Sequence, residues 1–333
     1  MSNREYKKGL HDLGNGCWAY IVPDGSYGWS NAGIIADGGE TLLVDTLFDL
    51  HCTREMLAEM REKVPGADKI DILVNSHADG DHIYGNELVE GARIIASKGT
   101  AEDFARFDPG VMASLMRDPS QFGKSGAFVK ECFGVFDFEG ITLTAPTETF
   151  SGRMTVEVGS KTVELIEVGP AHSLGDTLIY VPEDKVLYAA DILFSIGTPI
   201  AWYGPIQRWI DACDLVLDME IDVIVAGHGP LATKDDIVKM RNYFVDMTDR
   251  VRVLFDAGVP YEEAIYKLDL GEYAKWRDPE RVVVTIRTLY DDFDAAEVRP
   301  QHNPIPFFAI MKDYRDSLGL PRVHDEWLKA RGM

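Results

Sequence analysis

The stretch Asn75-Ser76-His77-Ala78-Asp79-Gly80-Asp81-His82 decides how this chain is read. It follows residues 71–75 (DILVN), a short apolar run bounded by charged and turn residues, which reads as a buried strand. A strand end that runs into a loop can present several side chains to one point. Two imidazoles and two carboxylates so close together are suitable donors for a divalent metal.

Later segments repeat the arrangement. His172, in Gly169-Pro170-Ala171-His172-Ser173-Leu174-Gly175-Asp176, follows the strand candidate 162–168. Asp191 follows 185–189, and His228, in Gly227-His228-Gly229-Pro230, follows 222–226. Each donor therefore sits at a strand end. His11, His51, His302 and His324 stand in no such pattern and read as structural or surface residues. Gly175 and Gly229 suit close backbone approach or positive φ, and Asp176 suits a turn or a supporting role.

Outward from these segments, residues 17–22, 33–36, 41–45, 92–96, 141–144, 154–158 and 177–181 also read as strands. Residues 53–63 read as a helix. So do 205–217, where Ile206, Trp209, Ile210 and Cys213 form one apolar face. From Thr233 the pattern turns helical: Thr233 is an N-cap candidate with Asp235 and Asp236 in the first turn, Pro260 opens a second helix, and 279–293 is a third. The tail from Arg299 reads as a packed strap. The aromatic insert 101–138 interrupts the strand rhythm and serves either a core or a substrate pocket.

With these pieces in order, residues 16–230 resemble the metallo-β-lactamase-fold metallohydrolases, in the glyoxalase-II-like branch. The family pattern is an HxHxDH loop, a His near Gly-Asp, an Asp before an apolar-Phe turn, and a late Gly-His-Gly. The resemblance implies an α/β (α+β) fold, an αββα sandwich over 1–232 with a C-terminal helical extension over 233–333 packed on it. It implies two divalent metals, zinc foremost with iron or manganese as alternatives. His77 and His172 match ligands of the first metal, and Asp81, His82 and His228 those of the second. Asp191 matches the bridging carboxylate, and Asp45 matches an aspartate that supports the metal loop. Asp79 departs from the pattern, making an HxDxDH variant. A carboxylate there is the first metal's ligand or a loop residue, and its harder oxygen keeps zinc, iron and manganese all open.

The implied chemistry is hydrolysis of a small, largely apolar ester, thioester or lactone by water activated at the metals, with Asp81 ligating and accepting a proton. The chain lacks a G-x-S-x-G elbow, which speaks against a serine hydrolase. Trp202 and Tyr203 follow the Asp191 strand and are candidate substrate contacts, as are Phe104 and Phe107 of the insert. Trp29, with Tyr27, lies in a Gly-rich loop that is either a flap or an ordinary hairpin. The alternatives are an iron-dependent redox enzyme on the same scaffold and a catalytically weakened metal- or ligand-binding protein.

Composition narrows the partners. The 333 residues carry 33 Lys plus Arg against 55 Asp plus Glu, a net charge of −22, which speaks against phosphate backbones and anionic membranes. The expected partner is a small-molecule substrate, with no nucleic acid and no membrane, and a homodimer as a compatible assembly. Four cysteines without a CxxC pair suggest neither a zinc ribbon nor a disulfide framework, so a cytoplasmic location is expected.

Overall fold

A computed structural model describes residues 6–106, 108–294 and 303–325. The chain opens with four antiparallel strands, β1 (Gly9–Gly14), β2 (Cys17–Ile21), β3 (Ala32–Asp37) and β4 (Glu40–Val44), followed by helix α1 (Leu50–Lys63). Next come β5 (Ile72–Asn75), the short helix α2 (Gly80–Ile83) and β6 (Arg93–Ser97). The insert then folds as helices α3 (Lys98–Asp103), α4 (Pro109–Arg117) and α5 (Gly123–Phe133), before β7 (Glu148–Phe150). Strands β5, β6 and β7 add in parallel to β4, completing a seven-stranded sheet in sequence order.

The second sheet is built from β8 (Arg153–Val158), β9 (Lys161–Glu167), β10 (Thr177–Val181) and β11 (Val186–Phe194), then helix α6 (Ile206–Asp218) and β12 (Val223–His228). Its order is β12-β11-β10-β9-β8, antiparallel except for the β11–β12 pair. Four helices follow: α7 (Lys234–Asp256), α8 (Tyr261–Lys267), α9 (Val282–Asp294) and α10 (Ile305–Ser317).

Strand alternation explains the layering, because successive side chains leave opposite faces of a sheet. Leu42, Val44, Ile72 and Val74 meet Val163, Leu165, Ile179 and Val225 between the two sheets. Their neighbours Leu43 and Leu73 turn outward to Met56, Leu57 and Met60 of α1. On the far side, Leu178, Leu187, Ile224 and Ala226 pack with Trp209 and Cys213 of α6 and with Phe244 of α7. The result is the expected αββα sandwich. Gly33 is required at its centre, because a Cβ there would overlap the ring of Tyr188 from the opposing sheet.

Some local expectations change. Residues 141–146 run without regular structure rather than as a strand, and β1 had no clear signature because its alternation is weak. The tail expected as a strap forms α10 in its described part, packed against α5. Residues 299–302 and 326–333 of that tail lie outside the described residues. No described helix is long and apolar enough to cross a membrane.

Candidate metal centre

Parallel pairing brings the site together. Strands β4 and β5 end at one edge of their sheet, and β9, β11 and β12 end at the adjoining edge of the other. Asp45 follows β4, the loop of His77, Asp79, Asp81 and His82 follows β5, and His172 lies between β9 and β10. Asp191 lies within β11 and His228 ends β12.

Asp191 is the hub. Its carboxylate lies 3.2 Å from His82 Nε2, 3.4 Å from His172 Nε2, 3.5 Å from His228 Nε2 and 3.9 Å from His77 Nε2. Asp79 Oδ2 lies 3.1 Å from His172 Nε2, and Asp81 Oδ2 lies 3.3 Å from His228 Nε2. Three sets of donor atoms cluster closely enough to share an ion: His77, His82 and Asp191; His77, Asp79 and His172; and Asp81, His82 and His228. Gly227 makes room for this, since a Cβ there would overlap the Asp191 carboxylate.

The neighbours orient the rings. Asp45 Oδ2 accepts from His82 Nδ1 at 2.9 Å and from Ser76 Oγ at 2.6 Å, and Oδ1 accepts from Ser76 N at 2.7 Å. The Ile200 carbonyl lies 2.8 Å from His172 Nδ1. Asp176 braces the turn that carries His172, accepting from Ala171 N and from Ser173 N and Oγ. The sequence offered no signal for Asn31, a buried amide that donates to the Ala226 and Gly229 carbonyls at 2.9 and 2.8 Å. It clamps the β12 end, while the His228 ring stacks on Phe194 at 5.1 Å.

The electrostatics are those of a site built around a cation. Burial, reinforced by His82, holds the His77 pKa well below the usual imidazole range. Burial also opposes charge on His82, but Asp191 and Asp45 outweigh it and hold that ring well above the range. For His172, Asp79 and Asp191 outweigh burial and push the value up to about 10. Burial raises Asp79, with His172 pulling the other way. His77 Nε2, His82 Nε2 and Asp191 Oδ1 are buried with no hydrogen-bond partner. These are the atoms a metal would engage, and an unmet buried polar atom is costly. The donor set therefore fits divalent metal.

A cavity of about 380 Å³ opens over this cluster. Phe48, Phe133, Phe194, Phe308 and Trp202 are among its walls, and Asp79, Asp81, His172, Asp191 and His228 also line it. Of the expected substrate contacts, Trp202 lines the cavity and three do not. Phe104 is buried in the core under the first sheet. Tyr203 turns its hydroxyl to Asp103, donating to Oδ1 at 2.9 Å. Trp29 packs on Phe136 at 4.5 Å. Phe107 lies outside the described residues. Tyr27, of the loop read as a flap or a hairpin, lines the cavity, and so does Arg281, which comes from a helical region with no motif.

A family model described as the metallo-beta-lactamase superfamily matches residues 28–228. A stereoselective inverting sec-alkylsulfatase from Pseudomonas sp. shares the fold with a TM-score of 0.65 at 18% identity, over 94% of this chain and 55% of that one. A metallo-beta-lactamase from Pontibacter korlensis shares it with a TM-score of 0.52 at 17% identity, over 72% of this chain and 99% of that one. Over 88 residues the chain is 34% identical to the alpha subunit of a 2,4-dinitroanisole O-demethylase from Nocardioides sp. (strain JS1661). That stretch is 25% of this chain and 26% of the subunit, so the chain spans about a quarter of that relative and about half of the alkylsulfatase.

Proposed function

The chain belongs to the metallo-β-lactamase superfamily, whose members are mostly hydrolases, and from that premise we propose a metal-dependent hydrolase of small, largely apolar esters, thioesters or lactones. The observation that carries this reading is the convergence of four imidazoles and three carboxylates under an apolar cavity. His77, Asp79 and His172 would hold one divalent ion, and Asp81, His82 and His228 a second, with Asp191 shared between them. Zinc suits this nitrogen-rich set, and iron and manganese are the alternatives. When bound, such ions supply Lewis acidity and lower the pKa of water toward neutrality.

The protein's own groups divide the remaining work. Asp45 and the Ile200 carbonyl fix which ring nitrogen of His82 and His172 faces the centre. Asp81 reaches the cavity and can accept the proton released when water attacks a carbonyl. The aromatic walls bind the apolar body of the substrate and exclude bulk water, which strengthens each charge interaction within. An activated aryl ether is a second substrate reading, favoured by the name of the 88-residue relative.

The test is metal analysis of protein purified without added metal, followed by rates on aryl acetates, thioesters, lactones and a nitroanisole. Chelation should abolish turnover, and zinc, manganese or iron should restore it. Full turnover in thoroughly demetallated protein overturns the reading. High iron content with redox activity and no hydrolysis would favour the oxidative alternative.

A further inference from the structure

Beside the cavity lies a buried group of charges that the hydrolytic reading leaves unused. Arg281 is 3% exposed and Glu280 fully buried, with Asp278 and Arg315 packed beside them. Arg281 Nη1 donates to the Thr198 carbonyl at 3.3 Å, and Nη2 lies 3.3 Å from Asp278 Oδ2. Arg315 Nη1 donates to Glu280 Oε1 at 2.8 Å, and the Tyr27 hydroxyl donates to the same oxygen at 3.2 Å. Arg281 is the member of this group that lines the cavity.

Two features separate Arg281 from a purely structural arginine. A structural guanidinium normally spends its five donors on fixed acceptors, yet Arg281 Nε is buried with no hydrogen-bond partner. Asp278 Oδ2 and Glu280 Oε2 are likewise without one, so the Asp278 contact is an ion pair without a well-aligned hydrogen bond. The guanidinium carbon also lies close to two aromatic rings, 4.2 Å from the Tyr27 ring centre and 5.4 Å from that of Phe194. Phe194 stacks in turn on His228. Arg281 thus stands about one aromatic ring away from His228 of the candidate metal centre. Burial, with Asp278, pushes the Glu280 carboxyl up to about 7, so near neutrality the two arginines are not fully offset.

We propose that Arg281 anchors a carboxylate carried by the substrate, so that the enzyme acts on apolar, ring-sized esters bearing an acid group at the end remote from the scissile bond. This specificity rests on the hydrolase reading for the bond cleaved, but the anchor itself does not. A planar guanidinium matches a carboxylate in fork geometry, which an ammonium does not. The chain's strong negative charge works against polyanions, and a single carboxylate held in an apolar cavity meets that constraint.

Binding of benzoate and of benzyl alcohol, followed by tryptophan emission because Trp202 lines the cavity, tests the anchor in metal-stripped protein. There the metals cannot take the carboxylate, and the Arg281 variants separate that residue's share from that of the charged His172 in the same cavity. Benzoate should bind about 10-fold or more tighter, the scale of a charge-assisted hydrogen bond. Arg281→Lys should lose most of that preference while keeping the charge, and Arg281→Met combined with Glu280→Gln should abolish it. Equal binding of the two ligands to the native protein, or an undiminished preference in the Lys variant, overturns the anchor. In metal-loaded protein, 4-acetoxybenzoate should then show a lower KM than phenyl acetate. If neither ester is turned over while benzoate is still preferred, the hydrolase reading fails and the anchor stands.

Discussion

At the scale of single residues, Asp79 is where this chain departs from the HxHxDH loop that its sequence otherwise resembles. It stands at the start of α2 but makes no side-chain capping bond there, and its carboxylate instead reaches His172. The loop therefore has little use for it. Asp79→Ala should remove one metal of two, read as the metal-to-protein ratio, and Asp79→His should keep both while shifting preference toward zinc. An unchanged ratio in the alanine variant would reassign it to a structural role. Glu280 supports a second residue-scale prediction. Its folded pKa, raised from 4.5 to about 7, means the folded chain holds this proton more tightly than the unfolded chain between those values. Stability should therefore fall as pH rises across that window, by up to about 3 kcal/mol. Glu280→Gln should flatten that slope in urea titrations at pH 5 and pH 8.

At the scale of elements, the site depends on how β11 is backed by helix. Trp209 of α6 is fully buried and donates from Nε1 to the Ile192 carbonyl at 3.0 Å, the residue after Asp191. Its ring lies edge-on to His172 at 5.9 Å and against Phe244 of α7 at 4.5 Å. Trp209→Phe removes the donor and leaves a buried carbonyl short of a partner, at a cost of about 1–3 kcal/mol. Thermal unfolding should show that loss. A weaker hold on β11 should also reduce metal affinity, read by competition with a chelator. The capping of α7 is simpler. Asp236 Oδ2 accepts from Thr233 N at 3.0 Å, so Asp236→Ala should cost about 1 kcal/mol without touching metal content.

At the scale of the whole molecule, two sheets and their helices converge on one edge, and the buried Asp191 there, with the half-buried Asp79 and Asp81, needs counter-charge. Stripping the metals should lower the Tm, and zinc should restore it in a concentration-dependent way, because a ligand that binds only the folded state stabilises it by mass action. An unshifted Tm would mean that the cluster does not hold metal tightly. Much of this architecture was legible in the chain itself. Buried strands with β-branched runs, and His or Asp at their ends, announce themselves through local composition, which is why the loop of His77, Asp79, Asp81 and His82, together with His172, Asp191 and His228, could be read before any contact was known. Helices α7 and α9 were legible through their caps and proline starts. The cavity was not legible, because its walls come from segments far apart in sequence. Tyr27, Phe48, Phe133, Arg281 and Phe308 meet only after folding, whereas Phe104, which suited a pocket as part of the aromatic insert, and Tyr203, which suited one by following the Asp191 strand, turn to the core and to Asp103. Spacing along the chain reports which side chains share an element. Which aromatic faces the ligand and which faces the core depends on how whole elements pack, and only the tertiary structure decides that.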